Sequence, residues 1–202
     1  MNEAEGLVAL PAAAILGIFR GELEAPLIVR GAARGLALLG PKEFWSGLPL
    51  AELNRMARGG NPAAQAELAW RLAGGDHPKP EQAIDWALKS AEADCTEGIA
   101  VLGWLLQQGI GLPRDEAEAA RLFAIAAGRD SPLACFALGR MLYFGMGAPC
   151  DPDAALPLLR RAAATGHADA IELVARCHFH GRGVAEDRGA AIRLWRQAAS
   201  AG

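Results

Sequence analysis

The sequence predicts an all-α fold built as a repeat array, and three observations carry that prediction. First, Gly109-Ile110-Gly111, Gly145-Met146-Gly147 and Gly181-Arg182-Gly183 recur every 36 residues. The same offset links Asp115, Asp151 and Asp187, and links Ala126-Ala127, Ala162-Ala163 and Ala198-Ala199. A period between 20 and 50 residues is the mark of stacked supersecondary units. Second, small and large apolar residues between these markers advance in steps of four, one and three, which keeps them on one face of a helix. Third, the chain has 202 residues, 52% of them hydrophobic and 21% charged, with a formal net charge of −3. That is enough apolar material for a substantial core.

Taken in order, residues 1–58 do not fit the period. Ala12–Phe19, Pro26–Leu39 and Leu48–Ala57 read as helices separated by Gly21, Gly40-Pro41 and Gly47. The first helix pair of an array needs cover, so this segment is expected to be a helical N-terminal cap. Residues 59–202 then hold four units, at about 60–95, 96–131, 132–167 and 168–202. The first is a worn copy. Its helix A shows as Ala64, Leu68, Ala69, Leu72 and Gly75, and its helix B as Ala83, Trp86 and Ser90-Ala91. Its connection, Gly75-Asp76-His77-Pro78-Lys79-Pro80, is two residues shorter than the others and lacks the second Gly.

In the other three units helix A is expected over Glu97–Gln108, Pro132–Phe144 and Asp169–His180. Gly103, Gly139 and Ala175 occupy one slot in it. A helix-interior Gly costs about 1 kcal/mol against Ala, so its use twice implies that another helix passes close by. The first Gly of each Gly-x-Gly is expected to end helix A in the left-handed conformation. Each following Asp is expected to cap helix B, with Glu118 completing a capping box at Asp115 and Pro152 at the first helical position after Asp151.

The slots Ala134, Leu138, Gly139, Gly145, Gly147, Asp151, Ala155, Leu158, Ala162, Ala163 and Gly166 together resemble the Sel-1-like repeat, a relative of the tetratricopeptide repeat. The resemblance covers residues of about 60 to 202. The chain departs from the pattern where Leu106, Leu142 and His178 replace the usual aromatic, and where the helix-B Trp survives only as Trp86. The resemblance implies a right-handed α–α superhelix, a solenoid of four helix pairs, and a non-catalytic adaptor or scaffold for a protein or peptide partner. It also suggests a bacterial setting. A second role known among such proteins, the neutralisation of a secreted toxin by an immunity protein, stays open beside the first.

Mild acidity argues against nucleic acid as the main partner, because phosphate binding needs a basic stripe. The apolar run Gly6–Phe19 is too short for a membrane span and follows Glu3 and Glu5, where a secretory signal wants positive charge. A cytoplasmic location is therefore expected. Cys95, Cys135, Cys150 and Cys177 follow no period and suit free thiols, with a Cys135–Cys150 pair left open.

Helix A carries a second face beside the packing slots, and it is the candidate binding groove. It holds Trp70, then Trp104 and Gln107, then Phe136, Arg140 and Tyr143, then Glu172, Arg176 and Phe179. Trp, Tyr and Arg are enriched at binding hot spots, although an aromatic stripe at helical spacing is also what a core looks like. The column reads as aromatic at one end and basic at the other. Trp195 holds the slot of Phe123 and Leu159, and with Ile192 it is expected to support self-association of two copies. The rival from another class is a hydrolase or metal-binding protein using Cys177, His178 and His180. On a helix the two histidines point to nearly opposite sides, while Cys177 and His180 share a face. Two ligands fall short of the four of a structural zinc. No metal, no cofactor and no catalytic group is expected.

Overall fold

The computed structural model describes residues 48–74 and 77–201. Among these, every regular element is an α-helix: α1 (Leu50–Arg58), α2 (Pro62–Gly74), α3 (Pro80–Glu92), α4 (Thr96–Gln108), α5 (Glu116–Gly128), α6 (Pro132–Phe144), α7 (Pro152–Ala163), α8 (Ala168–His180) and α9 (Arg188–Ala201). The expected helices at Ala12–Phe19 and Pro26–Leu39 lie outside the described residues; α1 stands where Leu48–Ala57 was expected. The chain forms two compact units, Met1–Arg114 and Asp115–Gly202. In the described part of the first, α1 packs on α2, α2 on α3 and α4, and α3 on α4. In the second, the sequential pairs α5–α6, α6–α7, α7–α8 and α8–α9 pack together.

The periodic residues fold as caps and close contacts. Gly109, Gly145 and Gly181 end α4, α6 and α8 at φ of 70°, 72° and 63°. The carboxylates of Asp115, Asp151 and Asp187 accept hydrogen bonds from the backbone N–H of Glu118 (2.9 Å), Ala154 (2.9 Å) and Ala190 (2.8 Å). These bonds satisfy donors that every helix start leaves free. Glu118 departs from the capping-box expectation in one respect, since its carboxylate takes Arg121 as partner at 3.0 Å. Gly139 is where a second helix comes close: a Cβ there would lie 2.9 Å from the Leu159 side chain and 3.3 Å from the Ala155 carbonyl.

The second Gly of each pair has a reason the sequence did not show. At Gly111 a side chain would meet first the Ile84 side chain (2.6 Å) and then Pro80 (3.0 Å); at Gly147 it would run into the Glu116 carbonyl oxygen, and at Gly183 into that of Pro152. Pro80, Glu116 and Pro152 are the first residues of α3, α5 and α7. The loop of each of the three later repeats thus rests on the start of helix B one repeat earlier. A second periodic device precedes helix A. Gly60, Asp94, Asp130 and Gly166 all have positive φ (87°, 57°, 63° and 83°), each one residue before the A helix's N-cap position. Asp tolerates this conformation better than most residues.

Burial follows the small residues. In the first unit Leu53, Ala57, Ala63, Ala64 and Leu68 form a core flanked by Leu72 and Trp86. In the second, Tyr143, Ala155, Leu156, Leu159, Leu173, Val174 and Cys177 form another. Ser90 takes a slot held by Ala in the next three repeats; it is buried and donates to the Pro62 carbonyl at 2.7 Å. Gly98 faces it, where a Cβ would collide with the Ser90 side chain and lie 2.9 Å from the Ala91 nitrogen.

Candidate protein-binding surface

In the first unit α2 and α4 lie side by side, and each carries one Trp on the same side. The rings of Trp70 and Trp104 are 4.4 Å apart between centroids and tilted by 45°. Ala66, Ala73 and Ala100 are buried on the same helices. Trp70 is 38% exposed and Trp104 is half-buried. The two rings border a cleft of about 670 Å³, with Leu50, Arg71, His77 and Lys79 on its other sides. Arg71 is held by Glu67 at 2.8 Å and by the Leu48 carbonyl at 2.7 Å. Gln107, expected in the groove, is instead buried at 5% exposure. Helical spacing put it beside Trp104, but neighbouring elements cover it.

In the second unit the expected residues fall into two clusters. On α6 the Phe136 ring stacks against His167 at 4.3 Å, and the Arg140 guanidinium lies 5.5 Å from the same ring. On α8 Arg176 is paired with Glu172 at 2.6 Å one helical turn away, with both side chains partly exposed. That pairing corrects the expectation of a simply basic end, because the Arg176 charge is compensated on its own helix. Phe179 turns toward α9, with its ring 5.4 Å from Trp195. Tyr143 is a second correction: it is 3% exposed and belongs to the core. It packs with Leu156, Leu159 and Leu173, and Arg182 of the following repeat adds cover, with its guanidinium 4.2 Å from the Tyr143 ring and donating to the Tyr143 carbonyl at 3.0 Å.

The Cys177-His178-Phe179-His180 run is not brought together as a site. Cys177 is buried, and burial pushes its thiol pKa up, which disfavours the thiolate a nucleophile needs. His180, expected on the same face, is exposed and sits edge-on to Phe179. His178 is half-buried in the packing slot of Leu106 and Leu142. Among the described residues no group of three or more His, Cys, Asp or Glu could hold a metal ion. In the structure all four cysteines are free thiols, with Cys135 buried and Cys150 exposed. Ile192 is 48% exposed and Trp195 half-buried, whereas Phe123 and Leu159, in the slot of Trp195, are fully buried. No described helix is long and apolar enough to cross a membrane.

Two residues at these surfaces escaped the sequence reading. His167 was not singled out, yet it stacks on Phe136 and its Nδ1 accepts from the Ala170 N–H at 3.4 Å. Its N-cap slot, shared with Cys95 and Ser131 at 36-residue spacing, was the signal. Lys79 was passed over as a loop residue. The same period places it in the slot of Asp115, Asp151 and Asp187, and α3 accordingly begins with no side-chain cap.

The geometry is that of known repeat proteins. The sequence model of the Sel1 repeat matches four times, at residues 62–95, 96–131, 132–167 and 168–202. Among solved structures, the chain is similar to a protective antigen present in uropathogenic Escherichia coli strains that displays an SLR fold. The match has 31% identity and a TM-score of 0.67, and covers 77% of this chain. The chain spans 34% of that antigen's length. It is also similar to a Sel1 repeat protein from Oxalobacter formigenes, at 24% identity and TM-score 0.64, over 76% of this chain and 70% of that one. The cysteine-rich protein B of Helicobacter pylori matches at 20% identity and TM-score 0.51, over 63% of this chain and 98% of that one. No curated protein matches. These neighbours are bacterial, and they share an all-α repeat fold of the solenoid class. Sel1 repeat proteins generally serve as scaffolds for protein–protein interaction and are typically non-catalytic. With four matched repeats between residues 62 and 202, the chain belongs to the Sel1 repeat family.

Proposed function

We propose that this chain is a non-catalytic scaffold that binds a partner protein or peptide through exposed side chains of its A helices. The observation that carries the reading is the pair Trp70 and Trp104. Their rings pack on each other at a surface, with Trp70 38% exposed, beside a cleft. Trp combines a large apolar face with a single donor, and it leads the residue types found at interface hot spots. In the second unit Phe136 with Arg140, and Glu172 with Arg176, offer aromatic and charged contacts of the same kind.

The test uses the full chain as bait with the Trp104→Ala and Arg140→Ala variants beside it, each checked for native unfolding behaviour. A partner identified by mass spectrometry is then titrated against all three. Loss of a hot-spot Trp costs about 2 kcal/mol or more, roughly thirtyfold in affinity. If both variants bind the captured partner as the parent does, these side chains serve packing and not recognition. The same reading extends to self-association through Ile192 and Trp195, which predicts a concentration-dependent mass in sedimentation that Trp195→Ala reduces.

A further inference from the structure

We infer that the cleft beside Trp70 and Trp104 takes a partner segment in which an aromatic or large aliphatic side chain is flanked by carboxylates. This assignment rests on the scaffold reading and names the chemistry of its ligand. The apolar half of the argument is the pair of tilted rings with Leu50 beside them. At about 670 Å³ the cleft accommodates one or two large side chains. Its rim is open, since Leu50 is 51% exposed. An open rim suits an extended chain lying across it better than a small molecule, which a pocket normally encloses.

The charged half comes from a break in the period. In the three later repeats the slot before helix B holds Asp115, Asp151 or Asp187, each with its carboxylate folded back on its own helix. In the first repeat the slot holds Lys79, which keeps the loop-closing backbone bond to the Leu72 carbonyl (2.8 Å). Asp151 and Asp187 make the same bond to Leu142 and His178, also at 2.8 Å. The backbone device is retained while the side chain changes from anion to cation. His77 is exposed beside it; Arg71 lines the same cleft, but its charge is offset by Glu67 on its own helix. No carboxylate lines the cleft among the described residues. A ligand that places an apolar group on the rings therefore brings a flank against the Lys79 ammonium, and a carboxylate there is favoured.

The experiment uses synthetic blocked pentapeptides with Phe at the centre and Glu, Gln or Lys on both sides, titrated against the full chain by the indole signals of Trp70 and Trp104. Glu-flanked peptide should bind on the order of fivefold more tightly than Gln-flanked, with Lys-flanked weakest, and the difference should shrink with salt. Lys79→Glu, at an exposed loop position, should invert that order, and Trp104→Ala should abolish binding of all three. Equal affinity across the three flanks, or an unchanged order in Lys79→Glu, overturns the assignment. Phenylacetate competing as strongly as the whole Glu-flanked peptide also overturns it, in favour of a small-molecule site. The two readings fail separately. If a captured partner depends on Arg140 but no acidic peptide binds, the scaffold stands and the cleft assignment falls. If acidic peptide binds but no protein partner depends on either surface, the scaffold reading falls.

Discussion

Replacing Gly147 with Ala should be among the most damaging single-methyl changes in the second unit, and three glycines there separate the causes. Gly166 has φ of 83° with nothing within 4 Å of an added Cβ, so Gly166→Ala tests backbone conformation alone. The left-handed region costs an L-residue about 1–2 kcal/mol. Gly145 adds a mild contact, 3.2 Å to the Cys150 Cβ, which a small loop shift relieves. Gly147 adds a collision with the carbonyl of Glu116, a backbone group fixed at the start of α5 that no side-chain rotation can move aside. Overpacking of that kind costs about 1–3 kcal/mol on top of the conformational term. The expected order of destabilisation is Gly166→Ala at about 1–2, Gly145→Ala at about 2 and Gly147→Ala at about 3–4 kcal/mol. Urea unfolding followed by far-UV circular dichroism reads it directly. If Gly147→Ala shifts the midpoint no more than Gly166→Ala, the loop does not rest on the preceding repeat and the account of the second Gly is wrong.

Further outcomes follow from other contacts. Asp151→Ala removes the cap of α7 and should cost about 0.5–2 kcal/mol by the same unfolding assay, with Asp151→Asn recovering most of it. The Ala190 N–H holds the Asp187 carboxyl below the usual carboxylate range. A depressed folded pKa gives stability that is full above the unfolded value of about 4 and fades as pH falls through the folded one, so Asp187→Asn should flatten the acid limb of a stability–pH profile. Tyr143→Ala should destabilise by about 3 kcal/mol as a core deletion, whereas Trp70→Ala at the cleft should cost under about 1. In the native protein a thiol reagent should modify exposed Cys150 quickly. Cys135 and Cys177, both buried with thiols pushed up by desolvation, should react only on unfolding.

The repeat was legible because its devices are local. A Gly that ends a helix and an Asp that caps the next are recognised by their immediate neighbours, and recurrence at 36 residues multiplies the signal. What stayed hidden depends on partners on other helices. The role of Gly147 depends on Glu116, and the burial of Tyr143 on residues of α7 and α8 such as Leu156 and Leu173. Helical spacing correctly placed Trp70 and Trp104 on one side of neighbouring helices, yet the same rule promoted Gln107 and Tyr143, which the fold covers. Periodicity within one helix reports a direction, and what fills that direction is decided by the next element. Lys79 was different in kind. Its information lay in the sequence as a mismatch to the period, visible once the capping Asp was understood.

At Gly147 and Gly183 the contact with the first residue of the preceding helix B uses backbone on one side and the absence of a side chain on the other. Alignment of neighbouring helix pairs at that point is therefore indifferent to what the exposed A-helix positions carry. Recognition residues can be rewritten one by one while the contact persists, as Lys79 in an Asp slot already illustrates. Length is less free beside the second Gly: whole 36-residue blocks preserve each such contact, while a residue inserted between Gly145 and Gly147 displaces one; the first connection, two residues shorter, has no second Gly to place. The three later repeats are thus tolerant in composition and held to one length, which favours exchange of entire repeats over lengthening any one of their loops.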